Sequence, residues 1–295
     1  MRRREFLQTP ACLAVAAAET APPIPTVKFG KAQITRLILG SNPFYGYSHF
    51  NRTMDACMRE YYTQDRRLEV LHAAERNGIT TWQVHYDTQS MADFARYRAE
   101  GGKMHVILLA DFELMRNPKL LPDAAKLGPL GIAHHGNRTD ERFRAGQKGL
   151  VRDFLKGIRD TGVMVGLSTH NPAVIDTVES EGWDLDYYQA CLYRVTRTPE
   201  ESREQFGEAP IGETFMETDP ERMCKMIRQT KRPCLAFKLL GAGRTSNTPQ
   251  QVEKAFRFAY ASIKPGDAAI IGMFPKYRDE VKENAELARR ILVGL

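Results

Sequence analysis

The sequence predicts an α/β protein of the (β/α)8 TIM-barrel class, preceded by a short N-terminal hairpin plug. About eight short apolar segments, which we interpret as strands, alternate strictly with amphipathic segments that we interpret as helices. The apolar segments are continuous, as is typical of parallel strands buried on both faces. Eight such units without a symmetric break favour a closed barrel over an open sheet. No Gly-x-Gly-x-x-Gly motif follows the first strand, which argues against a Rossmann domain.

The strands are predicted from uninterrupted apolar runs that end at a polar residue or a glycine. The first strand leaves through a long aromatic loop at 41–50. A short hairpin over 27–32 precedes it. The eight strands are expected at 35–40, 79–85, 105–110, 127–133, 163–168, 185–192, 233–240 and 268–272.

The helices are predicted from apolar residues that recur on one face and from stop signals at the ends. In the first helix, for example, Leu68, Leu71 and Ala74 share a face, and Asn77 and Gly78 form the stop. A long polar segment at 196–218 is interpreted as a lid-like loop. The eight helices are expected at 64–76, 91–100, 122–126, 150–159, 173–181, 220–230, 249–262 and 276–292.

The domain organisation follows from the N-terminal composition. Residues 1–24 are predicted to be an export signal with its linker, and residues 25–295 one barrel domain. Arg3-Arg4-x-Phe6-Leu7, followed by a short apolar run, resembles a bacterial twin-arginine signal. We therefore expect export by the twin-arginine machinery to a periplasmic or extracellular location. That route carries folded proteins, typically ones with an inserted cofactor. A disordered cytoplasmic tail is the alternative interpretation.

Composition limits the classes of partner. The net charge of +6 comes without a basic run interleaved with aromatic residues, so nucleic acid is not an expected partner. No segment of the expected mature chain is apolar enough to cross a membrane. The cysteines show no zinc-like spacing and are expected to be free or buried thiols; they are Cys12, Cys57, Cys191, Cys224 and Cys234. A small-molecule substrate, carbohydrate included, fits this composition.

Histidines mark the expected active site. Five of the seven histidines fall at or just after predicted strand ends, where barrels of this class carry their chemistry. Imidazole serves proton transfer or metal binding, and both uses stay open here. The five are His49, His85, His134, His135 and His170. His134 and His135 are neighbours on one strand, so only one of them is expected to face the pocket.

Further polar residues accompany these histidines. Asp87, Asp111, Glu113 and Arg194 also lie at strand exits. Lys238 lies within an otherwise apolar predicted strand. It is interpreted either as a strand-tip lysine paired with an acid or as a substrate-binding or acid–base lysine.

Four motifs carry a family resemblance: 166–171, 187–189 and 235–243 on the fifth, sixth and seventh predicted strands, and 78–82 at the entry to the second. In this order they resemble the motifs of the aldo/keto reductase superfamily, and the similarity spans about residues 27–293. Ile271-Gly272 and the later Glu283-Asn284 resemble its adenosine-phosphate end. The resemblance implies a tightly bound NADP held by Ser168, Asn171, Gln189, Phe237, Gly241, Gly243, Gly272, Lys276, Glu283 and Asn284.

The catalytic end departs from that family. Gln83 stands in the place of the family's aspartate, Thr88 in the place of its tyrosine, and strand three carries no lysine. Only the family's histidine has a counterpart, as His134 or His135. His85, Tyr86 or Asp87 would then substitute for the missing groups.

Two functional hypotheses remain from the sequence. The first is a nicotinamide-dependent oxidoreductase acting on a carbonyl or sugar-type substrate, with catalytic residues among His134, His135, His85, Asp87 and Lys238. The second is a metal-dependent lyase, epimerase or hydrolase of carbohydrate-type substrates, in which His85, Asp87, His134 and His170 hold a divalent ion. A non-catalytic binding barrel is a third, simpler alternative.

Overall fold

The computed structural model describes residues 22–294 and contains the expected closed barrel. An antiparallel hairpin, β1 (Thr26–Phe29) with β2 (Ala32–Thr35), comes first. Eight parallel strands follow, and the last, β10, pairs with the first, β3, so that no edge remains. The barrel strands are β3 (Leu37–Gly40), β4 (Thr81–His85), β5 (His105–Ala110), β6 (Gly131–His134), β7 (Met164–Thr169), β8 (Tyr187–Cys191), β9 (Cys234–Phe237) and β10 (Ala268–Gly272). The predicted fold class and hairpin plug are thus confirmed.

Helices surround the barrel, and every predicted helix is present with shifted ends in most cases. Four further helices were not predicted: α1, α4, α6 and α9. The highly charged α6 lacks the apolar stripe on which the prediction depended, and α1 fully buries none of its residues. The helices are α1 (Arg52–Tyr61), α2 (Gln64–Arg76), α3 (Thr88–Ala99), α4 (Phe112–Arg116), α5 (Leu121–Lys126), α6 (Gly136–Arg144), α7 (Lys148–Arg159), α8 (Pro172–Ser180), α9 (Pro199–Phe206), α10 (Asp219–Gln229), α11 (Pro249–Ser262) and α12 (Glu280–Val293).

The core has two layers because successive residues of a strand point to opposite faces. Inside the barrel, Ile38, Ile107 and Ile270 pack together, and Phe29 of the hairpin closes the N-terminal end. The larger layer lies between the strands and the helices. Tyr187 fills the barrel interior so closely that a Cβ at Gly166 would lie 2.3 Å from its ring. The absence of a side chain at Gly166 is therefore a packing requirement.

Two predicted elements need correction. The seventh barrel strand was expected to run to residue 240, but β9 ends at Phe237, so Lys238 follows the strand instead of lying within it. Lys238 adopts a left-handed backbone with φ of 61°, which cannot continue a strand. The segment 196–218 is also not a simple loop. It contains α9, which starts at a capping box formed by Thr198 and Glu201.

Other expectations concern the cysteines and the N-terminus. Cys57, Cys191, Cys224 and Cys234 are free thiols, as expected. Between residues 22 and 294, no helix is both long and apolar enough to cross a bilayer. The predicted export signal lies almost wholly within residues 1–21, outside the described part of the chain.

Candidate active site

The alternation along β6 separates the two adjacent histidines. Ala133 points into the barrel with the interior core, so His135 points to the mouth and His134 to the helix layer. His134 is fully buried, and its ring meets the Phe154 ring of α7 edge-on at 5.3 Å. Its Nδ1 donates to the Thr139 hydroxyl (2.7 Å), which itself donates to the His135 carbonyl. Burial lowers the pKa of His134 to about 3. The structure thus places His134 outside the mouth, as a neutral packing residue.

His135 occupies the mouth with an acid beside it. Its Nε2 lies 4.0 Å from an Asp111 carboxylate oxygen, and its buried Nδ1 has no hydrogen-bond partner within residues 22–294. Burial lowers the pKa of His135 to about 4, although the Asp111 carboxylate opposes that shift. At neutral pH His135 is therefore an uncharged base whose protonated form Asp111 would stabilise.

A second histidine–aspartate pair ends β4. His85 Nε2 donates to Asp87 at 2.9 Å, and the His85 ring meets the rings of Tyr45 and Tyr47 edge-on. Burial alone would raise the pKa of Asp87, but hydrogen bonds from His85 and Ser90 outweigh it and lower the pKa to about 2. The Asp87 carboxylate also caps α3. This pair is thus anchored to a helix, with Tyr47 packed at its open side.

His170 is held by an acid that the sequence did not point out. Its Nδ1 and its backbone N–H both donate to one oxygen of the buried Asp140 of α6, each at 3.0 Å. Thr196 donates to the same oxygen at 2.8 Å. Burial lowers the pKa of His170, and the hydrogen bonds to Asp140 only partly offset this. Asp140 lies on a charged helix without apolar periodicity, so no pattern in the sequence identified it.

Lys238 lies in a hydrogen-bonded chain across the mouth. Its ammonium donates to His49 Nε2 at 3.2 Å, and His49 Nδ1 donates to Glu213 at 2.7 Å. The bond to Glu213 requires the proton on Nδ1, which leaves Nε2 free to accept from Lys238 and from Asn42. The chain links β9, the first loop and the segment 196–218. The expectation of a lysine in direct contact with an acid is not met.

The structure does not bring the four residues of the metal-binding hypothesis together as one group. His134 faces the helix layer, His85 is bonded to Asp87, and His170 is bonded to Asp140. Within residues 22–294 no group of three or more histidine, cysteine, aspartate or glutamate side chains is arranged to hold a metal ion. Within the described residues His85 and Asp87 therefore stay together, whereas strand alternation turns His134 toward the helix layer and Asp140 holds His170.

One long groove of about 980 Å³ starts at the barrel mouth and runs outward over β10 to α11 and α12. Its inner end is floored by Gln83 and Leu109, and its outer end lies beside Arg278 and Arg290. Seven of the ten residues assigned to a cofactor by the resemblance line it: Ser168, Gln189, Phe237, Gly243, Gly272, Glu283 and Asn284.

The other three predicted cofactor residues do not line the groove. Asn171 caps α8 by accepting from the Ala173 N–H, and its side chain is committed there. Gly241 lies in the turn after β9. Lys276 is exposed and contacts Cys57 and the Tyr277 ring.

The outer end of the groove carries mixed charge. Arg278 is paired with Glu283 at 2.6 Å, and Arg290 with Glu253 at 2.8 Å. Arg244, which the sequence did not single out, lies nearer the mouth and stacks 3.9 Å above the Phe215 ring. The sequence pattern did not identify Arg244, because a single arginine in a glycine-rich loop has no distinctive spacing.

Known structures share this architecture. The glycerol dehydrogenase AKR11B4 from Gluconobacter oxydans matches with 15% identity and a TM-score of 0.52, over 90% of this chain and 96% of its own. A truncated 3-deoxy-D-arabino-heptulosonate 7-phosphate synthase from Thermotoga maritima matches with 16% identity and a TM-score of 0.52, over 92% and 91%. The protein Gox0644 matches with 11% identity and a TM-score of 0.55, over 93% and 89%.

Sequence comparisons add no family. No family model matches the chain, and no curated protein does. At these identities the structural likenesses establish the fold alone, because one barrel hosts many unrelated reactions. The chain is therefore a (β/α)8 barrel, and the comparisons establish nothing finer than this fold.

Proposed function

We propose that this protein is a nicotinamide-dependent oxidoreductase that interconverts an alcohol and a carbonyl on a small, sugar-type substrate. The observation that carries the proposal is the continuous groove from the mouth to α12. A dinucleotide needs an extended site, and seven residues assigned by sequence resemblance lie along this one groove. Six of them come from four different strands and one helix, and Gly243 comes from the turn after β9, so their alignment is a property of the fold.

The inner end of the groove fits a carboxamide-bearing ring. The Gln189 side chain lines the groove, and its Nε2 is buried beside the Tyr187 hydroxyl, which is its neighbour inside the barrel. A buried amide donor needs an acceptor, and a ligand carbonyl would supply one. The Phe237 ring lies at the same end and offers a stacking surface.

Phosphate groups further out would meet arginines. The backbone N–H groups at the start of α12 are partly used, since Asp279 accepts from the Lys282 N–H. Arg278 and Arg290, already paired with carboxylates, remain within the outer groove. The family resemblance implies that the bound nucleotide is NADP. NAD is therefore compared with it in the binding experiment below.

The mouth residues suit proton transfer to or from the reacting oxygen. A bound nicotinamide supplies two-electron hydride chemistry. Neutral His135 accepts the hydroxyl proton when an alcohol is oxidised, and Asp111 stabilises the imidazolium that forms. Burial, with Asp111 and Asp87 nearby, raises the pKa of Tyr47 and keeps its phenol protonated as a hydrogen-bond donor at the rim.

Cofactor binding tests the proposal. Protein would be titrated with NADPH and NADH while nucleotide fluorescence is followed, in the native chain and in Gln189→Leu. We expect binding to weaken about tenfold in Gln189→Leu, the scale of one lost hydrogen bond. Gln33→Leu is the matched control, since it makes the same change on β2 of the hairpin, at the opposite end of the barrel. Failure of the native protein to bind either nucleotide would refute the proposal.

Export is a separate proposal. We infer from the Arg3-Arg4-x-Phe6-Leu7 motif that residues 1–24 direct the folded protein to the twin-arginine machinery. A paired Arg3→Lys, Arg4→Lys variant is expected to stay in the cytoplasm of a bacterial host. Equal export of both forms on cell fractionation would contradict this.

A further inference from the structure

Backbone strain is concentrated along the groove. Within residues 22–294, three non-glycine residues have positive φ: His49 at 54°, Lys238 at 61° and Ala242 at 52°. All three line the groove, and the side chains of two of them are hydrogen-bonded to each other. Residues with side chains are rarely held in this conformation, and such strain clusters at functional sites. The strain thus holds the Lys238 ammonium and the His49 ring in one fixed arrangement.

Two cations at the mouth lack a carboxylate partner. Four lysines or arginines line the groove, and the outer two, Arg278 and Arg290, each pair with a glutamate. The inner two, Lys238 and Arg244, make no ion pair with any residue between 22 and 294. Lys238 uses one N–H on His49. Arg244 uses one nitrogen on the His49 and Gly241 carbonyls. Both keep unused donors, because an ammonium has three N–H bonds and a guanidinium five.

These two cations lie on the substrate side of the mouth. The charge of Lys238 acts on His135 and His170, which end β6 and β7. Arg244 lies between Phe50 of the first loop and Phe215 of the segment 196–218. Neither position belongs to the outer groove, where the far end of a dinucleotide would lie.

The opposite side of the mouth is acidic. Asp87 and Asp111 follow β4 and β5, and both act electrostatically on the Tyr47 phenol. Carboxylates thus lie beside β4 and β5, and the two cations without an ion-pair partner lie beside β9, where His49 stands between Lys238 and the Glu213 carboxylate. Carboxylates accept hydrogen bonds from hydroxyl groups, whereas lysine and arginine bind anions. A ligand that fits both sides carries hydroxyl groups at one end and an anion at the other.

We propose that the substrate is a polyhydroxy carboxylic acid, a sugar acid in chemical class, whose carboxylate is bound by Lys238 and Arg244. This inference rests on the proposed function for its chemistry. In the oxidative direction a hydroxyl O–H proton passes to His135, the C–H hydride passes to the nicotinamide, and the C–O bond becomes C=O. The carboxylate takes no part in the bond changes and fixes which hydroxyl lies beside His135.

Calorimetric titration with gluconate and glucitol tests the inference. The two share a carbon chain and hydroxyl groups, but only gluconate has a carboxylate. With NADP⁺ present in excess, we expect the native protein to bind gluconate at least about tenfold more tightly, equivalent to ~1.4 kcal/mol. Lys238→Met is expected to abolish this preference and Lys238→Arg to retain most of it. Lys156→Met removes an equivalent charge from the outer helix α7 and is expected to change nothing.

Several results would overturn the inference. These are equal affinity for the two ligands, no binding of either, a preference that survives Lys238→Met, or tighter binding of glucose 6-phosphate than of gluconate. Should Lys238→Met fail to fold in a thermal melt, Arg244→Met provides the same comparison. The proposed function fails separately: a protein that prefers gluconate but binds no nicotinamide nucleotide keeps the carboxylate site and loses the redox reaction.

Discussion

His134 gives the sharpest test of the site assignment, because its burial predicts a specific pH dependence of stability. Its folded-state pKa is lowered to about 3, against about 6.5 in an unfolded chain. Between about pH 3 and about pH 6.5, His134 is therefore protonated in the unfolded state and neutral in the folded state. The contribution to stability is fully present above pH 6.5 and is lost as pH falls toward 3.

The magnitude follows from the pKa difference. At pH 5 the unfolded imidazole is protonated and the folded one is not. A gap of about 1.5 pH units at about 1.36 kcal/mol each destabilises the fold by about 2 kcal/mol relative to neutral pH. His134→Asn keeps a polar group near Thr139 but cannot titrate. We expect the variant to be less stable than the native protein at pH 7, and that difference to shrink by about 2 kcal/mol at pH 5.

Denaturant unfolding at pH 7 and pH 5 measures this difference directly. Phe154→Leu is the matched control, since it loosens the same packing site without removing a titrating group. Its unfolding curve is expected to shift in parallel with the native one at both pH values. If His134→Asn also stays parallel to the native protein, His134 is protonated in the folded state and its assignment to the dry helix layer is refuted.

Three further predictions follow from the mouth and its supports. His135→Asn is expected to lower kcat for oxidation at least about 100-fold in steady-state kinetics with NADP⁺, without changing cofactor affinity, and an unchanged kcat would contradict this. The native enzyme is expected to keep its activity down to about pH 4, where His135 becomes protonated. The free energy of unfolding of Lys238→Gly is expected to exceed that of Lys238→Ala by about 1 kcal/mol, because both variants lose the ammonium and only glycine adopts the left-handed backbone without strain. Equal free energies in denaturant unfolding would argue against strain at this position. Arg197→Met is expected to cost about 3–5 kcal/mol by leaving the Asp219 carboxylate buried and unpaired, and a thermal melt within a few degrees of native would show that the pair is not structural.

Part of the site was predictable from the sequence because it depends on local pattern. Histidines were expected at strand ends, and His85, His135 and His170 lie at the ends of β4, β6 and β7, which a parallel barrel presents at one rim. The partners were not predictable. Asp140 and Glu213 lie on segments without a strong periodicity, and each meets its histidine only through the tertiary fold.

The sequence by itself determined the barrel, its plug and the order of its strands, since continuous apolar runs and helix periodicity are local properties of the chain. It also determined that only one of His134 and His135 faces the mouth. The tertiary structure decided which one, because the register of β6 sets which side chains enter the barrel. It also turned His134 toward the helix layer and aligned seven distant residues along one groove. Both outcomes depend on contacts between segments far apart in the chain, which no local pattern records.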